Sequence, residues 1–501
     1  MKNKFILIFT LFCCIIFAGC SSAGAISTYT ISLDSIPKNF DPQVASEENE
    51  LMVLSNIYDG LFELRDGKAV PNVCESYDIS SDGLTYTFKL RTDSTFYLSK
   101  KEQIPVTSAD FAFALERVLD KSTHSPYYND FKHINSISTP NDNTLVIKLS
   151  HSDSSFITKL CSPAAFPCNK KFFSETNGAY GLRVKDILSN GPYTINYLAD
   201  DGSYATIIRI DGNKKAISRI RLELSDKESD AVSAYNNDKI SGFFSEDGIS
   251  SNIDGKVFSF ENKNFNMMLN PAVKTLSDSD VRGALAYYAF AMENSGANLS
   301  AVTQSRSFFC SEILHDGKSI VSQLGNITPS YMSQNPKQLL QQGLNRIQLE
   351  QPEKLTVLIP SDISFKVIAE NINQLWQKEL GLFFTLETIP NSEISSRIKS
   401  GDYDIAFVSS KPASSSAATL LQPFEIYGGE IAQHILALQD NSLSASQSLS
   451  HINSAHNAII QQAYIIPMCT DKSEYIHKSF FDNIEISPFG NIINFKYATV
   501  K

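Results

Sequence analysis

"ESYDISSDGLTYTFKLR", residues Glu75 to Arg91, decides how the rest of the chain is read. Ser81-Asp82-Gly83 is a turn between two short runs. The run after it alternates: Leu84, Tyr86, Phe88 and Leu90 share one face, and Thr85, Thr87, Lys89 and Arg91 the other. Period two with one apolar face predicts a half-buried hairpin strand. Downstream, "PVTSADFAFALERVLD" (Pro105 to Asp120) predicts a helix capped by Thr107, with Asp110 adding negative charge to its first turn. Phe111, Leu115, Val118 and Leu119 form its apolar stripe. A second hairpin-like run, "NDNTLVIKL", follows at Asn141 to Leu149.

Working outward, "TYTISL" (Thr28 to Leu33) alternates like a strand, and "ENELMVLSNIYDGLFEL" carries helical spacing at Leu51, Leu54, Ile57, Tyr58 and Leu61. "GPYTINYLADDGSYATIIRI" is another hairpin, turning at Asp200-Asp201-Gly202. The rhythm then changes. "SRIRLEL", "SDKESDAVSAYN" and "KISGFF" read strand, helix, strand, and the same order recurs in "KLTVLIP", "DISFKVIAENINQLWQKELG" and "LFFTLETI", extended by "NSEISSRIKSG" and "YDIAFVSS". Such alternation implies parallel strands joined by right-handed helical crossovers. The two blocks, Ser218 to Phe244 and Lys354 to Val408, predict two α/β lobes beside a hairpin-rich accessory domain.

The first residues, "MKNKFILIFTLFCCIIFAGCSSAG", join a basic start at Lys2 and Lys4 to an apolar run, Phe5 to Phe17. That run has the length of an export signal and is short for a bilayer span. Ala18 and Gly19 precede Cys20, and Phe17-Ala18-Gly19-Cys20 resembles a bacterial lipoprotein signal, with Phe17 where a smaller aliphatic residue is usual. Cys20 is accordingly expected to be acylated as the first mature residue and the membrane anchor, on a tether through residue 27. The 501 residues hold 43 basic and 54 acidic side chains, net −11, and the signal removes two lysines and no acid. An acidic exported protein of this kind is not expected to bind nucleic acid. Beyond Cys13, Cys14 and Cys20 remain Cys74, Cys161, Cys168, Cys310 and Cys469. Five cannot all pair; buried free thiols, or one bridge between Cys161 and Cys168, both fit.

Signatures of catalysis are missing: no Gly-x-Ser-x-Gly, no His-Glu-x-x-His, no glycine-rich dinucleotide loop. "DGKS" at Asp316 to Ser319 ends like a phosphate loop but has Glu312 at the position of its first glycine. The eight histidines are dispersed; His451 and His456, the closest in sequence, lie five apart on a predicted helix and share no face for one metal. No catalytic residue, cofactor or metal site is expected.

Asn56 to Leu119 resembles the family 5 extracellular solute-binding proteins, the peptide- and nickel-type receptors of ATP-binding-cassette importers. The matching pieces are "NIYDGLFEL", "AVPNVCESYDISSDGLTYTFKLR" and "PVTSADFAFALERVLD"; "NGPYTI", "DVRGALAYYAF", "LWQKELGLFFTLE", "GDYDIAFVSS", "IIPM" and "GNIINFKYA" follow in the family's order. The resemblance implies an α/β, bilobal, type II periplasmic-binding-protein-like fold with an inserted accessory α+β domain. Applied to this chain, it gives a signal at 1–19, a tether at 20–27, lobe I from 28–57, 171–260 and 479–501, the accessory domain at 58–170 and lobe II at 261–478.

Ligands of open α/β sheets sit beyond the carboxyl ends of strands. Two edges qualify: Ser409, Ser410, Lys411 and Ala413 after the strand ending at Val408, and Ser46, Glu47 and Glu48 in the extended segment after "FDPQ". Asp471 completes the expected set. In peptide-binding relatives such edges hold a peptide as an added strand, and a carboxylate in the later loop receives its amino terminus, often beside a Trp. Here that loop reads "VSSKPASSSAA", with Ala413 nearest the expected acid. The sole tryptophan, Trp376, falls on an apolar helix stripe with Ile368, Ile372 and Leu380 and is expected in a core. The resemblance thus implies a monomeric, lipid-anchored receptor on the outer face of the cytoplasmic membrane. It would capture an oligopeptide or other small solute and deliver it to the permease subunits of an importer. The missing acid and Trp also fit a non-transport interaction or signalling lipoprotein that keeps the fold around a degenerate pocket.

Overall fold

The structure is a computed structural model. It describes residues 27–501 apart from 66–67, 100–101, 154, 226–227, 246–252, 291–302, 326, 362, 413–415, 441–442 and 490–491. Two long antiparallel strands, Lys256–Leu269 and Ile465–His477, run side by side through the middle of an eleven-stranded sheet. Up to Phe260 the first of them alternates between exposed and half-covered residues. From Asn262 it is buried almost throughout, because the second half of the strand is covered on both faces. The pairing slips between Phe260 and Lys263, and again where Asn266 meets Pro467. Proline has no N–H to give a ladder, so a bulge there is the physical answer to its presence.

On one side of this pair, Gly242–Ser245 joins Ile465–His477 at its far end, and Thr28–Leu33 and Arg219–Leu224 continue in parallel. Tyr193–Leu198 and Tyr204–Arg209 extend that edge antiparallel. On the other side, Ile405–Ser410 pairs with Lys256–Leu269, and Thr356–Pro360 and Thr385–Ile389 follow in parallel. Helices Glu228–Asn236, Ile363–Leu375 and Asn391–Ser400 lie between successive parallel strands, as the alternating pattern predicts. The fold is the α/β, bilobal, type II periplasmic-binding-protein-like arrangement expected above.

Each half has its own core. The first gathers Tyr29, Ile31, Tyr193, Ile220, Tyr475 and Phe495, with Tyr29 against Phe495 at 4.9 Å between ring centres. Its last strands are tied back by Asn56, which donates to the Ile493 carbonyl at 2.7 Å and accepts from the Phe495 N–H at 2.7 Å. The second contains Phe265, Phe365, Phe407 and Trp376. Trp376 is fully buried, its indole N–H donating to the Leu285 carbonyl at 3.0 Å, in keeping with its expected place in a core. The accessory domain pairs Cys74–Ile79, Thr85–Leu90, Thr144–Leu149 and Ile134–Asn141 in one antiparallel sheet. Tyr86, Phe88 and Leu90 point into its core beneath helix Ser108–Leu119, and Gly83 turns the hairpin at φ 69°. Asp110 goes further than lending charge to that helix: its carboxylate folds back onto the Thr107 N–H and hydroxyl, both at 2.8 Å.

All five cysteines among the described residues are free, so no bridge joins Cys161 to Cys168. Burial pushes the thiols of Cys161, Cys168 and Cys469 up to about 12, which leaves almost no thiolate at neutral pH.

A buried ion pair clamps the accessory domain to the first half. Arg117, on helix Ser108–Leu119, meets Asp41 through two nitrogens at 3.0 and 2.5 Å and donates to the side-chain Oε1 of Gln43 at 2.6 Å. Its guanidinium stacks 4.2 Å above the Phe173 ring. Gln43 donates onward to the carbonyls of Ala164 and Phe166. Removing one member strands the other charge in a dry site. Asp41→Ala is therefore expected to cost about 3–5 kcal/mol in chemical denaturation, and Asp41→Leu combined with Arg117→Met to recover most of that loss; equal destabilisation by the single and double variants would refute the clamp.

Candidate functional site

The site is built where the central strand pair passes from one half to the other. Strand Ile405–Ser410 is apolar through Val408 because Ile405 and Phe407 face the Trp376 core while Ala406 and Val408 face Leu358 and Ile394. It turns polar at Ser409 and Ser410. Thr356–Pro360 pairs with it only at Ile405 and Ala406, so further along, among the described residues, that edge has no strand beside it. Asn391, first residue of helix Asn391–Ser400, fills the gap with its carboxamide: Oδ1 accepts from the Ser409 N–H at 2.8 Å and Nδ2 donates to the Ser409 carbonyl at 2.5 Å. A side chain thus stands in for one residue of a neighbouring strand.

Across the sheet, Ser410 lies opposite Asn264, and Asn264 opposite Thr470; one step on, Lys263 lies opposite Asp471. Ser409, Ser410 and Asp471 are therefore gathered on the two strands flanking Lys256–Leu269, about 10 Å apart across two strand spacings. Lys411 follows directly, and Ala413 lies outside the described residues. Lys263 is buried with its ammonium 4.9 Å above the Phe365 ring. At the passage itself, Ser473 donates to Asn262 Oδ1 at 2.6 Å and Asn262 donates to the Pro488 carbonyl at 2.7 Å.

The other predicted edge belongs to the first half. Ser46, Glu47 and Glu48 are exposed at the start of helix Glu48–Ile57, so Glu48 is already helical where an extended segment was expected; two acids with Glu50 suit a helix's positive end. The group that organises this edge is Glu50, which is buried and accepts from the N–H groups of Asn39 at 3.0 Å and of Ser46 and Glu47 at 3.4 Å. Tyr127 donates to the Ala45 carbonyl at 2.7 Å, so the accessory domain braces the same edge.

Sequence reasoning missed Asn264, Asn266 and Asn391. "ENKNFNMML" carries Asn262, Asn264 and Asn266 at period two, which was the available signal. Asn264 donates to the Phe308 carbonyl at 2.8 Å, but among the described residues nothing donates to the buried Oδ1 of Asn264 or of Asn266. Unmet buried acceptors cost about 1–3 kcal/mol each, and these two adjoin the Ser409–Ser410 row. The loop carrying Phe308 and Phe309 is held by His456, buried against both rings with Nε2 3.1 Å from Ser307 Oγ. Burial lowers the His456 pKa to about 4, so it works as a neutral core group.

A separate concavity of about 400 Å³ opens among Arg91, Tyr97, Arg209, Lys496 and Tyr497. Its cations face their own acids, Arg91 with Asp93, Arg209 with Asp211 and Lys496 with Asp59, at 2.5–2.7 Å, so no uncompensated charge there calls for a ligand. Among the described residues no group of three or more His, Cys, Asp or Glu is placed to hold a metal, and no helix is long and apolar enough to cross a membrane.

The family model for bacterial extracellular solute-binding proteins, family 5 (middle), matches residues 68–429, well over half the chain. The chain belongs to that family. This family consists of solute-binding receptors. Among curated relatives, the oligopeptide-binding protein AliB of Streptococcus pneumoniae is 27% identical over 197 residues, 36% of this chain and 30% of that protein. The match thus spans about a third of the relative's length. Solved structures are similar over nearly the whole fold. The substrate-binding domain of an oligopeptide ABC transporter from Bacillus anthracis superposes with TM-score 0.77 at 18% identity, covering 95% of this chain and 99% of that one. Listeria monocytogenes OppA bound to peptide gives 0.76 at 19%, with the same coverage.

Asn391→Ala removes both bonds to Ser409. We expect it to destabilise the second half by about 1–3 kcal/mol and to speed amide exchange at Ser409 and Ser410; unchanged exchange would show that the strand end does not depend on the carboxamide.

Proposed function

We propose that this chain is the solute-binding lipoprotein of an ATP-binding-cassette importer, capturing an oligopeptide between its two lobes and handing it to the permease. The observation that carries the reading is the shared strand pair within a family 5 fold: both halves hang on Lys256–Leu269 and Ile465–His477, and the polar row at Ser409, Ser410 and Asp471 lies where that pair crosses. Rotation about the slipped register at Phe260 to Lys263 would close the halves on a ligand. A ligand favours closure only by binding that state better. No covalent step is involved, and the chain is read as a monomeric receptor rather than an enzyme.

Ser409, Ser410, Lys411 and Ala413 on one edge, Ser46, Glu47 and Glu48 on the other, and Asp471 beside the crossing are proposed as ligand contacts. The division into lobe I (28–57, 171–260, 479–501), accessory domain (58–170) and lobe II (261–478) belongs to the same proposal, with the end of strand Ile465–His477 crossing into the first half at Tyr475. Backbone pairing along such edges accommodates many peptide sequences. With Ala413 where relatives are expected to carry an acid, the peptide's amino group is not anchored at that loop.

Mass spectrometry of ligand carried through purification, followed by calorimetry with the peptides found, tests the reading. Co-purified peptides are expected, and acetylating their amino termini should change affinity less than about threefold. Absence of any co-purified solute together with no thermal shift across a peptide panel would instead favour the interaction or signalling role. A hundredfold loss on acetylation would place an amino-group receptor at Asp471, Glu47 or Glu48.

Cys20 is proposed as the lipid anchor, on the strength of the export signal before it and the short tether after it. Cys20→Ala should abolish incorporation of labelled fatty acid and leave the precursor uncut; undiminished labelling of that variant would overturn the assignment.

A further inference from the structure

Helices Gly429–Ala437 and Ala445–Gln461 pack side by side through Ile431, Ile435, Ile452 and Ile459. That packing brings together two histidines seventeen positions apart, a pair no local spacing reveals. His434 Nδ1 lies 3.0 Å from His451 Nδ1, the rings 5.2 Å apart between centres and tilted by 52°. Both are half-buried at the rim of the helix pair. We propose that His434 and His451 form a two-nitrogen site for a divalent transition metal with tetragonal preference, Cu²⁺ above all.

The proposal starts from the proton count. Two neutral imidazoles can face each other through Nδ1 only if one carries the proton there. Glu430, one turn before His434, has a carboxylate oxygen 3.7 Å from His434 Nε2. It favours the tautomer with the proton on Nε2, which leaves the Nδ1 lone pair of His434 free, and His451 then donates from its own Nδ1. A metal replaces that shared proton: the His451 proton moves to Nε2, the two Nδ1 lone pairs turn to a common point, and no net charge leaves the rings. Glu430 then does what carboxylates behind ligating histidines commonly do, fixing the ring and raising its basicity.

Geometry selects the metal. With metal–nitrogen bonds of about 2.0–2.1 Å, nitrogens 3.0 Å apart subtend roughly 95° at the metal. That is close to the right angle between neighbouring ligands of a tetragonal ion and well short of the tetrahedral angle zinc prefers. The remaining positions would be filled by water, consistent with the partial exposure of both rings, and the affinity order across the first-row divalent ions also puts copper ahead.

The test uses the full mature chain, free of affinity tag and stripped with chelator, titrated with Cu²⁺, Ni²⁺ and Zn²⁺ by calorimetry. One Cu²⁺ is expected per chain, binding at least tenfold tighter than Zn²⁺. Affinity should fall at least tenfold in His434→Ala and in His451→Ala and a few-fold in Glu430→Gln, and stay unchanged in His124→Ala. Electron-spin-echo spectra of the wild-type copper form should show two coordinated imidazoles, a readout independent of whether either variant folds. A spectrum with one imidazole or none, or undiminished copper affinity in the folded double variant, overturns the site.

Discussion

One ladder carries both halves of this molecule. Lys256–Leu269 and Ile465–His477 each begin in the hydrogen-bonding territory of one half and end in that of the other, so neither half owns them. Everything else is hung from that pair: the parallel strands on either side, the helices between them, and the polar row where the crossing occurs. A sheet resists shear along its strands but twists at a bulge. The slipped register at Phe260 to Lys263 therefore gathers bend and twist at one level of the molecule, with Asn262 and Ser473 bonded to each other just there.

The chain buries arginine in two different ways. Arg117 sits against a carboxylate and two rings, and its charge is matched locally. Arg282 is even more buried, yet its bonds run to the carbonyls of Leu276, Ser277 and Gln462 at 2.7–3.0 Å, with the Tyr464 ring 4.5 Å beneath. The first arrangement joins two domains through a charge that must be answered; the second fastens a helix start to turns within one domain through backbone carbonyls and an aromatic face. Their chemistry suits their tasks, since a carboxylate partner gives orientation and strength whereas carbonyls tolerate small adjustments of the turns they belong to.

Much of the fold was legible because its signals are local. The hairpin at Glu75 to Arg91 announces itself by period two and a glycine, and Trp376 by its stripe of apolar neighbours. The candidate site was legible only in part. Ser409 and Ser410 could be placed because they end a strand, and the sheet brings them to the same crossing as Asp471. Asn391 could not, since its role depends on Thr356–Pro360 ending its pairing early, a tertiary event without a local cause. Glu50 rather than its neighbours Glu47 and Glu48 is the buried acid of the other edge, and three nearby glutamates offer no way to choose among them before the helix start is in place. The same holds for His434, whose partner lies on another helix.

The first core joins Tyr29, near the start of the described chain, to Phe495, near its end, with Asn56 bonded across the same distance. Contacts of such long sequence separation are the slowest to form. A chain that emerges amino-terminus first, from a ribosome or through a translocation pore, cannot finish this core until Ile493 and Phe495 are free. The accessory domain and the second half have mostly closer partners and can settle beforehand. The core that holds Tyr29 is thus completed only when the segment carrying Phe495 reaches it, so its closure waits on a partner far along the chain.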